Sequence, residues 1–251
     1  MTLWQAVAVA LAGLAAGTIN TVVGSGTLVT FPVLLAVGYP PVLANVSNTV
    51  GLVPGSVSGA VGYRAELRGQ RPRLLRLGTA SAAGAVLGAT ALLVLPAGAF
   101  RAVVPLLIAL ACVLVVVQPR LSAALASRGR TGRAHGGPAL YLAVLGTGIY
   151  GGYFGAAQGV LLIAVMGLLL DETLQRVNAA KNVLAGLVNA VAAVIFIAVT
   201  DVAWEAAALI ALGSVVGGQL GAYIGRRIAP AVLRWVVVAV GIVAIVEIVL
   251  D

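Results

Sequence analysis

The chain has 251 residues, of which 61% are hydrophobic and 9% are charged, whereas soluble domains carry about a quarter charged residues. This composition excludes a water-soluble globular domain, because too little polar surface remains to cover the apolar residues. The net charge of +8 suits nucleic acid, but the arginines gather in short segments between apolar runs, as in the loops of membrane proteins. Membrane lipid and a small anion are therefore the expected partners, with a homo-oligomer as a further option; nucleic acid is not expected.

Uncharged stretches that can cross a bilayer recur along the whole chain, since a spanning helix needs about 20 apolar residues. We therefore predict an all-α integral membrane protein that is multi-pass in the inner or plasma membrane. Residues 1–35 lack the basic start of a signal peptide and lead into further apolar segments, so they belong to the mature protein in this interpretation. The later predicted spans are 41–63, 77–100, 102–119, 139–170, 182–200, 206–225 and 235–246.

The first apolar segment, residues 3–37, is interrupted by glycine and predicts a helix, a turn at Gly24-Ser25-Gly26 and a shorter helix back. Unwound backbone at membrane depth is tolerated only where protein or a water-filled cavity satisfies its polar groups. The N-terminus of the returning helix attracts anions, although small residues also allow close helix packing. The candidate substrate-binding residues of this turn are Asn20, Thr21, Gly24, Ser25, Gly26 and Thr27.

The next helix, predicted to begin near Pro41, carries polar residues on one face. Asn45, Asn48 and Thr49 follow each other at i, i+3 and i+4. At 1.5 Å per residue, Asn48 lies roughly 10–14 Å along the helix, near the middle of the membrane. A single asparagine in a membrane helix more often joins two helices, so a structural role competes with ligand binding here.

The second half of the chain repeats this pattern. Residues 139–170 predict a second broken helix that turns around Gly155–Gly159, with Gln158 and Gly159 as candidate binding residues. Internal repeats of this kind are common in transporters, and paired interruptions favour a binding site between them. The following helix, predicted to begin near Thr173, repeats the polar spacing with Asn178, Lys181 and Asn182. We divide the chain into a first membrane repeat (1–118), a basic cytoplasmic linker (119–138) and a second membrane repeat (139–251).

The arginine distribution predicts that the two halves have opposite orientations in the membrane. Loop 64–76 holds five arginines, whereas the matching segment 200–205 holds two carboxylates and no cation. The next pair of loops has the reverse bias, with Arg101 alone in the first half and three arginines in 226–234. Because cytoplasmic loops are rich in arginine, we predict inverted repeats with both termini outside. Each repeat would consist of a Gly-rich broken helix or hairpin and three transmembrane helices.

Lys181 is the strongest single candidate for a substrate-binding residue, because an ammonium inside an apolar helix is energetically costly and usually functional. It can neutralise a bound anion, pair with Asp171 or Glu172 at the start of its helix, or extend to the membrane interface. An enzyme is not predicted. The only histidine, His135, and the only cysteine, Cys112, supply no catalytic dyad and no metal cluster, and we expect no cofactor.

The Gly-rich opening GTINTVVGSGTLVTFP, the helix with Asn48 and Thr49, and the second-half segment GGYFGAAQGVLLIAVMGLLL followed by Asn182 resemble the sulfite exporter TauE/SafE family. The resemblance covers nearly the whole chain and is clearest at Gly24 and Gly26. The second copy departs from the family's fuller glycine run at Gln158. The resemblance implies a transporter of sulfite, of sulfonates such as sulfoacetate, or of related anions.

Together these features predict a secondary transporter that moves a small anion by alternating access. The resemblance implies that this anion is sulfite or an organosulfonate such as sulfoacetate. Two alternatives have the same fold: a carrier of another small carboxylate or inorganic anion, and an anion channel. A channel requires a continuous polar lining, which the sparse polar positions hardly provide. A non-transporting scaffold would have no reason to repeat Gly-rich turns at membrane depth.

Overall fold

All regular elements in the described part of the chain are α-helices. The computed structural model describes residues 1–127 and 136–224 together with 238, 239, 242 and 245, and only the backbone of residues 97 and 126. The helices are α1 (Leu3–Val22), α2 (Thr27–Ala36), α3 (Pro41–Gly62), α4 (Arg71–Val94), α5 (Ala97–Ser127), α6 (Pro138–Tyr153), α7 (Gln158–Leu169), α8 (Leu174–Val199) and α9 (Trp204–Ile224).

Five of the described helices are long and apolar enough to cross a membrane: α1, α4, α5, α8 and α9. By contrast, α2 and α7 have 10 and 12 residues, and at 1.5 Å per residue neither reaches across a hydrocarbon core of about 30 Å. The predicted all-α, multi-pass membrane protein is therefore confirmed. Each short helix packs against the longer helix that precedes it, α2 against α1 and α7 against α6.

Both Gly-rich segments are broken helices, as predicted. Between α1 and α2 the chain turns at Gly24, which has a φ of +91°, a conformation that glycine adopts without strain. Between α6 and α7 it turns through Gly155 and Ala157, with φ values of +78° and +58°. Each short helix therefore begins inside the protein.

Helices of the two halves pack against each other in a reciprocal pattern. α1 lies on α9 and α6 lies on α4, while α3 and α8 contact each other. A Cβ atom at Gly17 would overlap the backbone of Ser214 in α9, and one at Gly88 would overlap the backbone of Ile149 in α6. Small residues thus allow backbone-to-backbone contact at both crossings, and close packing explains these glycines.

A buried aromatic cluster holds the two broken helices together. Phe31 of α2 and Phe154 of the second break are in edge-to-face contact, with ring centroids 5.3 Å apart. Phe100 of α5 packs on Phe154 with a centroid distance of 6.1 Å. Such geometry is favourable for aromatic pairs, so α2, α5 and the second break are fixed as one unit.

Several predicted helix boundaries were wrong. The predicted spans 77–100 and 102–119 place a loop at Arg101, but α4 ends at Val94 and α5 begins at Ala97, so Arg101 lies inside α5. Helix α4 already begins at Arg71, so the loop expected over 64–76 ends at Gln70. A membrane helix can begin with arginines because their long side chains extend the charge to the interface. Helix α5 continues to Ser127, so the first part of the linker 119–138 is helical. The arginines of 226–234 and most of the span 235–246 lie outside the described residues, and the inverted orientation remains a prediction.

Candidate anion site

The two helix breaks meet in the interior. The N–H of Gly159 donates to the carbonyl oxygen of Gly24 at 3.1 Å. A Cβ atom on Gly24 would lie 2.5 Å from the Cα of Gly159, and one on Gly159 would lie 2.5 Å from the Cα of Gly24. No larger residue fits at either position without moving the partner. The structure therefore brings together the two turns that the sequence marks as candidates.

Lys181 lies beside this contact and caps the end of α1. Its Nζ donates to the carbonyl oxygens of Asn20 at 2.8 Å and Thr21 at 3.2 Å. The lysine is 0% exposed, so the proposed extension to the interface is wrong. These carbonyl groups lie at the negative end of the α1 dipole and have no intrahelical donor. The ammonium thus satisfies the helix end electrostatically and by hydrogen bonding.

Two asparagines of α8 complete this cap, and α3 provides a counterpart. Asn178 and Asn182 donate through Nδ2 to the carbonyl oxygen of Thr21, at 3.3 and 3.4 Å. In α3, Nδ2 of Asn45 donates to the carbonyl oxygen of Tyr153, the last residue of α6, at 3.0 Å. The long helix of each half therefore caps the broken helix of the other half.

The other two candidate residues of α3, Asn48 and Thr49, form their hydrogen bonds within the first half. Nδ2 of Asn48 donates to Oγ1 of Thr27 at 3.4 Å, and Thr30 donates a short hydrogen bond to Oδ1 of Asn48. Thr49 donates to the carbonyl oxygen of Asn45 at 2.9 Å, a bond within the helix. Asn48 thus joins α3 to the start of α2, which is the structural role weighed against ligand binding.

Four buried polar atoms near the breaks have no hydrogen-bond partner among the described residues. They are Oγ of Ser25, Oδ1 of Asn45, Nε2 of Gln158 and Oδ1 of Asn178. Buried polar atoms ordinarily have a protein or water partner, so these breaks retain unused hydrogen-bonding capacity. The neighbouring N–H of Gly26, at the start of α2, reaches Oδ1 of Asn20 only at 3.5 Å.

A small polar cavity adjoins the lysine, and we call it the anion cavity. Its volume is about 10 Å³, which suits about one water molecule. Ser56 of α3 was not predicted as a site residue, because nothing in its sequence context separates it from a packing serine. Its hydroxyl donates within the helix to the carbonyl oxygen of Leu52. The cavity is lined by Asn20, Thr21, Gly24, Ser56, Lys181, Asn182 and Ala185.

A protein-family model described as "Sulfite exporter TauE/SafE" matches residues 9–248. The chain belongs to this family. The match covers both broken helices and all the residues of the anion cavity, so it confirms the resemblance noted for the Gly-rich segments. Members of the TauE/SafE family are membrane transporters, and this protein is a transporter rather than an enzyme.

Individual relatives within the TauE/SafE family agree with this assignment. The chain is 25% identical over 207 residues to the probable membrane transporter protein YfcA of Escherichia coli, covering 82% of this chain and 75% of that protein. It is 24% identical over 243 residues to the probable membrane transporter protein ORF9 of Sinorhizobium sp, covering 96% and 91%. No solved structure matches the chain.

This TauE/SafE transporter also has a charged cluster between its halves. Glu172, between α7 and α8, accepts from Arg73 at 2.9 Å and from Arg176 at 2.6 Å, so it does not pair with Lys181. Nε2 of Gln70 donates to the carbonyl oxygen of Arg176 at 3.0 Å. Burial alone would raise the pKa of Glu172, but the hydrogen bonds from Arg176 and Arg73 outweigh burial and hold that pKa below its ordinary value.

Proposed function

We propose that this transporter carries a small anion, sulfite or an organosulfonate such as sulfoacetate, by alternating access. The anion would bind beside Lys181, in a widened form of the anion cavity between the two helix breaks. The description of the matching family as sulfite exporters supports sulfite. The positive charge of the site supports an anion as the class of substrate.

The buried ammonium of Lys181 is the observation that carries this proposal. An ammonium has three N–H donors, and the carbonyl oxygens of Asn20 and Thr21 accept two of them. Neither partner has a full negative charge, and no carboxylate of the described residues lies within salt-bridge distance of Lys181. One donor and an uncompensated charge therefore remain for a substrate, at a depth where such a charge is costly.

Substrate entry requires the helix breaks to separate. A cavity of about 10 Å³ holds roughly one water molecule, and a sulfite ion is larger. The hydrogen bond from Gly159 to Gly24 and the contact between the two glycines close the space. In transporters built from repeats, alternating access is largely a rigid-body rocking or gating of one repeat against the other, and such a motion would open this barrier to each side in turn.

Flux into proteoliposomes tests the substrate and the transport mode. We expect saturable uptake of sulfite or sulfoacetate, with acetate and sulfate as competing candidates from other anion classes. Large unsaturated currents would instead indicate an anion channel. Absence of flux for every anion of the panel would contradict the proposal.

The variant Lys181→Met tests the site, because it keeps the volume of the stem and removes the charge. We expect anion binding to weaken by about 2 kcal/mol or more, which corresponds to roughly 30-fold in affinity. Arg101→Met is the matched control, since it removes one positive charge from an exposed position of α5. Lys181→Arg should retain part of the affinity and change the preference among substrates, because a planar guanidinium contacts oxyanions differently from an ammonium.

Lys181→Met also removes the cap of α1, so a loss of binding could come from misfolding. A second variant separates folding from binding. Ser56→Val occupies space at the wall of the anion cavity and leaves the hydrogen bonds of Lys181 in place. We expect it to reduce uptake while the protein elutes as a single species in size-exclusion chromatography. Wild-type affinity and uptake in well-folded Lys181→Met would show that the lysine serves only as a cap.

A further inference from the structure

We infer that one anionic phospholipid binds in an apolar groove beside the anion cavity, with its phosphate on Arg64 and Arg71. The groove consists of two adjoining hollows of about 400 and 560 Å³, each within the range of roughly 300–1,000 Å³ that is typical of ligand pockets. We call the two hollows together the lipid groove. Most of its lining is hydrocarbon, and its polar side chains are Ser56, Arg64, Arg71, Thr79 and Asn182.

The shape of the lipid groove follows from the packing of three helices. α8 packs against both α3 and α4, which make few contacts with each other. Val183 and Leu187 of α8, with Leu67 of the loop above them, line both hollows. One hollow extends along α3 past Val57, and the other extends along α4 past Ala82. Two hollows on either side of the shared residues of α8 match the two acyl chains of one phospholipid.

Charge at one end of the lipid groove identifies its occupant. Arg64 lies just beyond the C-cap of α3 and lines the first hollow, and Arg71 begins α4 and lines the second. Both arginines are exposed, and neither guanidinium group has a hydrogen bond or an ion pair to a described residue. Arg73 differs, because it is paired with Glu172. Two unpaired guanidinium groups at the mouth of an apolar groove fit a phosphate that carries hydrocarbon chains.

Other occupants satisfy only part of this surface. A free phosphate ion would contact the arginines and leave the apolar hollows without a partner. A second copy of the chain would have to neutralise both arginines on a membrane-embedded face. An anionic lipid supplies the acyl chains and the negative headgroup together, and basic pockets between membrane helices commonly bind such lipids on the cytoplasmic side, where loop 64–70 is predicted to lie.

The position of the lipid groove couples it to the proposed transport site. Ser56 and Asn182 line both the first hollow and the anion cavity. An acyl chain in this hollow would therefore close the side of the anion cavity that faces the membrane. This coupling rests on the proposed function, whereas the binding of the lipid itself does not.

Native mass spectrometry of the purified full-length protein measures the binding directly. The probes are phosphatidylglycerol, which is anionic, and phosphatidylcholine with the same chains, which is zwitterionic. We expect phosphatidylglycerol to bind more tightly, and Arg64→Gln/Arg71→Gln to lower its affinity about tenfold or more. The double variant Arg68→Gln/Arg120→Gln removes the same charge from exposed positions that do not line the groove, and it should bind as the wild type does.

The apolar part of the lipid groove has its own pair of variants. Ala82→Phe fills the second hollow, whereas Ala83→Phe places the same ring on an exposed neighbouring position outside it. We expect only Ala82→Phe to lower the affinity for phosphatidylglycerol. Equal affinity in Ala82→Phe and Ala83→Phe would overturn the proposal, and so would equal binding of the two lipids. A change of oligomeric state in Ala82→Phe with unchanged lipid binding would assign the groove to a second copy instead.

Discussion

In the proposed function, Lys181 serves both the structure and the binding of substrate. The last carbonyl groups of α1 lack intrahelical donors, and in a membrane no water replaces them. The lysine and its two neighbouring asparagines supply donors at this helix end. Two N–H donors of the ammonium cap α1 and the third would bind the proposed anion, so the two roles do not compete.

At the scale of single residues, the contact between Gly24 and Gly159 makes the clearest prediction. Gly24→Val and Gly159→Val should each abolish transport while the protein is still inserted, because even a Cβ atom would lie 2.5 Å from the opposite backbone. The breaks could then no longer close around a substrate. Uptake by proteoliposomes and the amount of protein in the membrane are the measurements.

Gly146→Val is the control for these glycine variants. Gly146 lies in α6, and a Cβ atom there would meet nothing within 4 Å, so the same substitution costs little at this position. We expect this variant to transport as the wild type does. Wild-type uptake in either Gly24→Val or Gly159→Val would refute the role of the contact.

At the scale of helices, the cluster around Glu172 fixes the start of α8 to the loop before α4. Because the folded-state pKa of Glu172 is lowered, its contribution is fully present above the ordinary carboxyl pKa, near 4, and is lost as the pH falls through the lowered value. Glu172→Gln should therefore be less stable by about 2 kcal/mol near pH 7. Its disadvantage should shrink towards about pH 3.

Thermal unfolding in detergent between about pH 7 and about pH 3 checks this dependence. Glu205→Gln provides the control, since that carboxylate is 61% exposed and lies 3.8 Å from the N-terminal amine. A constant difference in melting temperature between the wild type and Glu172→Gln at all pH values would contradict the assigned role of the ion pairs.

The sequence predicts helices better than it predicts their partners. Glycine in an apolar run marks both breaks, and Pro41 marks the start of α3, because these signals are local. The start of α4 at Arg71 was missed, since an arginine-rich stretch resembles a loop. The bond from Lys181 to Asn20 spans 161 positions, and no local pattern indicates which carbonyl a buried lysine will meet. The helix breaks were therefore easier to predict from the sequence than the contacts of the polar residues beside them.

At the scale of the whole molecule, the inverted arrangement is open to a labelling test. In a Cys112→Ala background, we introduce single cysteines by Gly69→Cys, Gly98→Cys and Asp201→Cys, all at exposed positions. An impermeant maleimide applied to intact cells should label positions 98 and 201 and leave position 69 unlabelled, because arginine-rich loops stay inside. Permeabilised cells, in which all three positions should react, are the control.

Asp201→Cys is the decisive position of the three. If the halves had parallel orientations, the loop between α8 and α9 would face the cytoplasm, and this cysteine would stay unlabelled in intact cells. Labelling of Gly69→Cys from outside would instead reverse the orientation of the whole protein.

The reciprocal caps also bear on how the protein is made. α1 is synthesised before α8, yet the donors for its last carbonyl groups are on α8, about 160 residues later. Asn45 of α3 likewise finds its acceptor, Tyr153, only after more than 100 further residues. Until α8 has been synthesised, the last carbonyl groups of α1 therefore lack these hydrogen-bond donors. Each half of the chain supplies hydrogen-bond donors that the helix end of the other half lacks on its own.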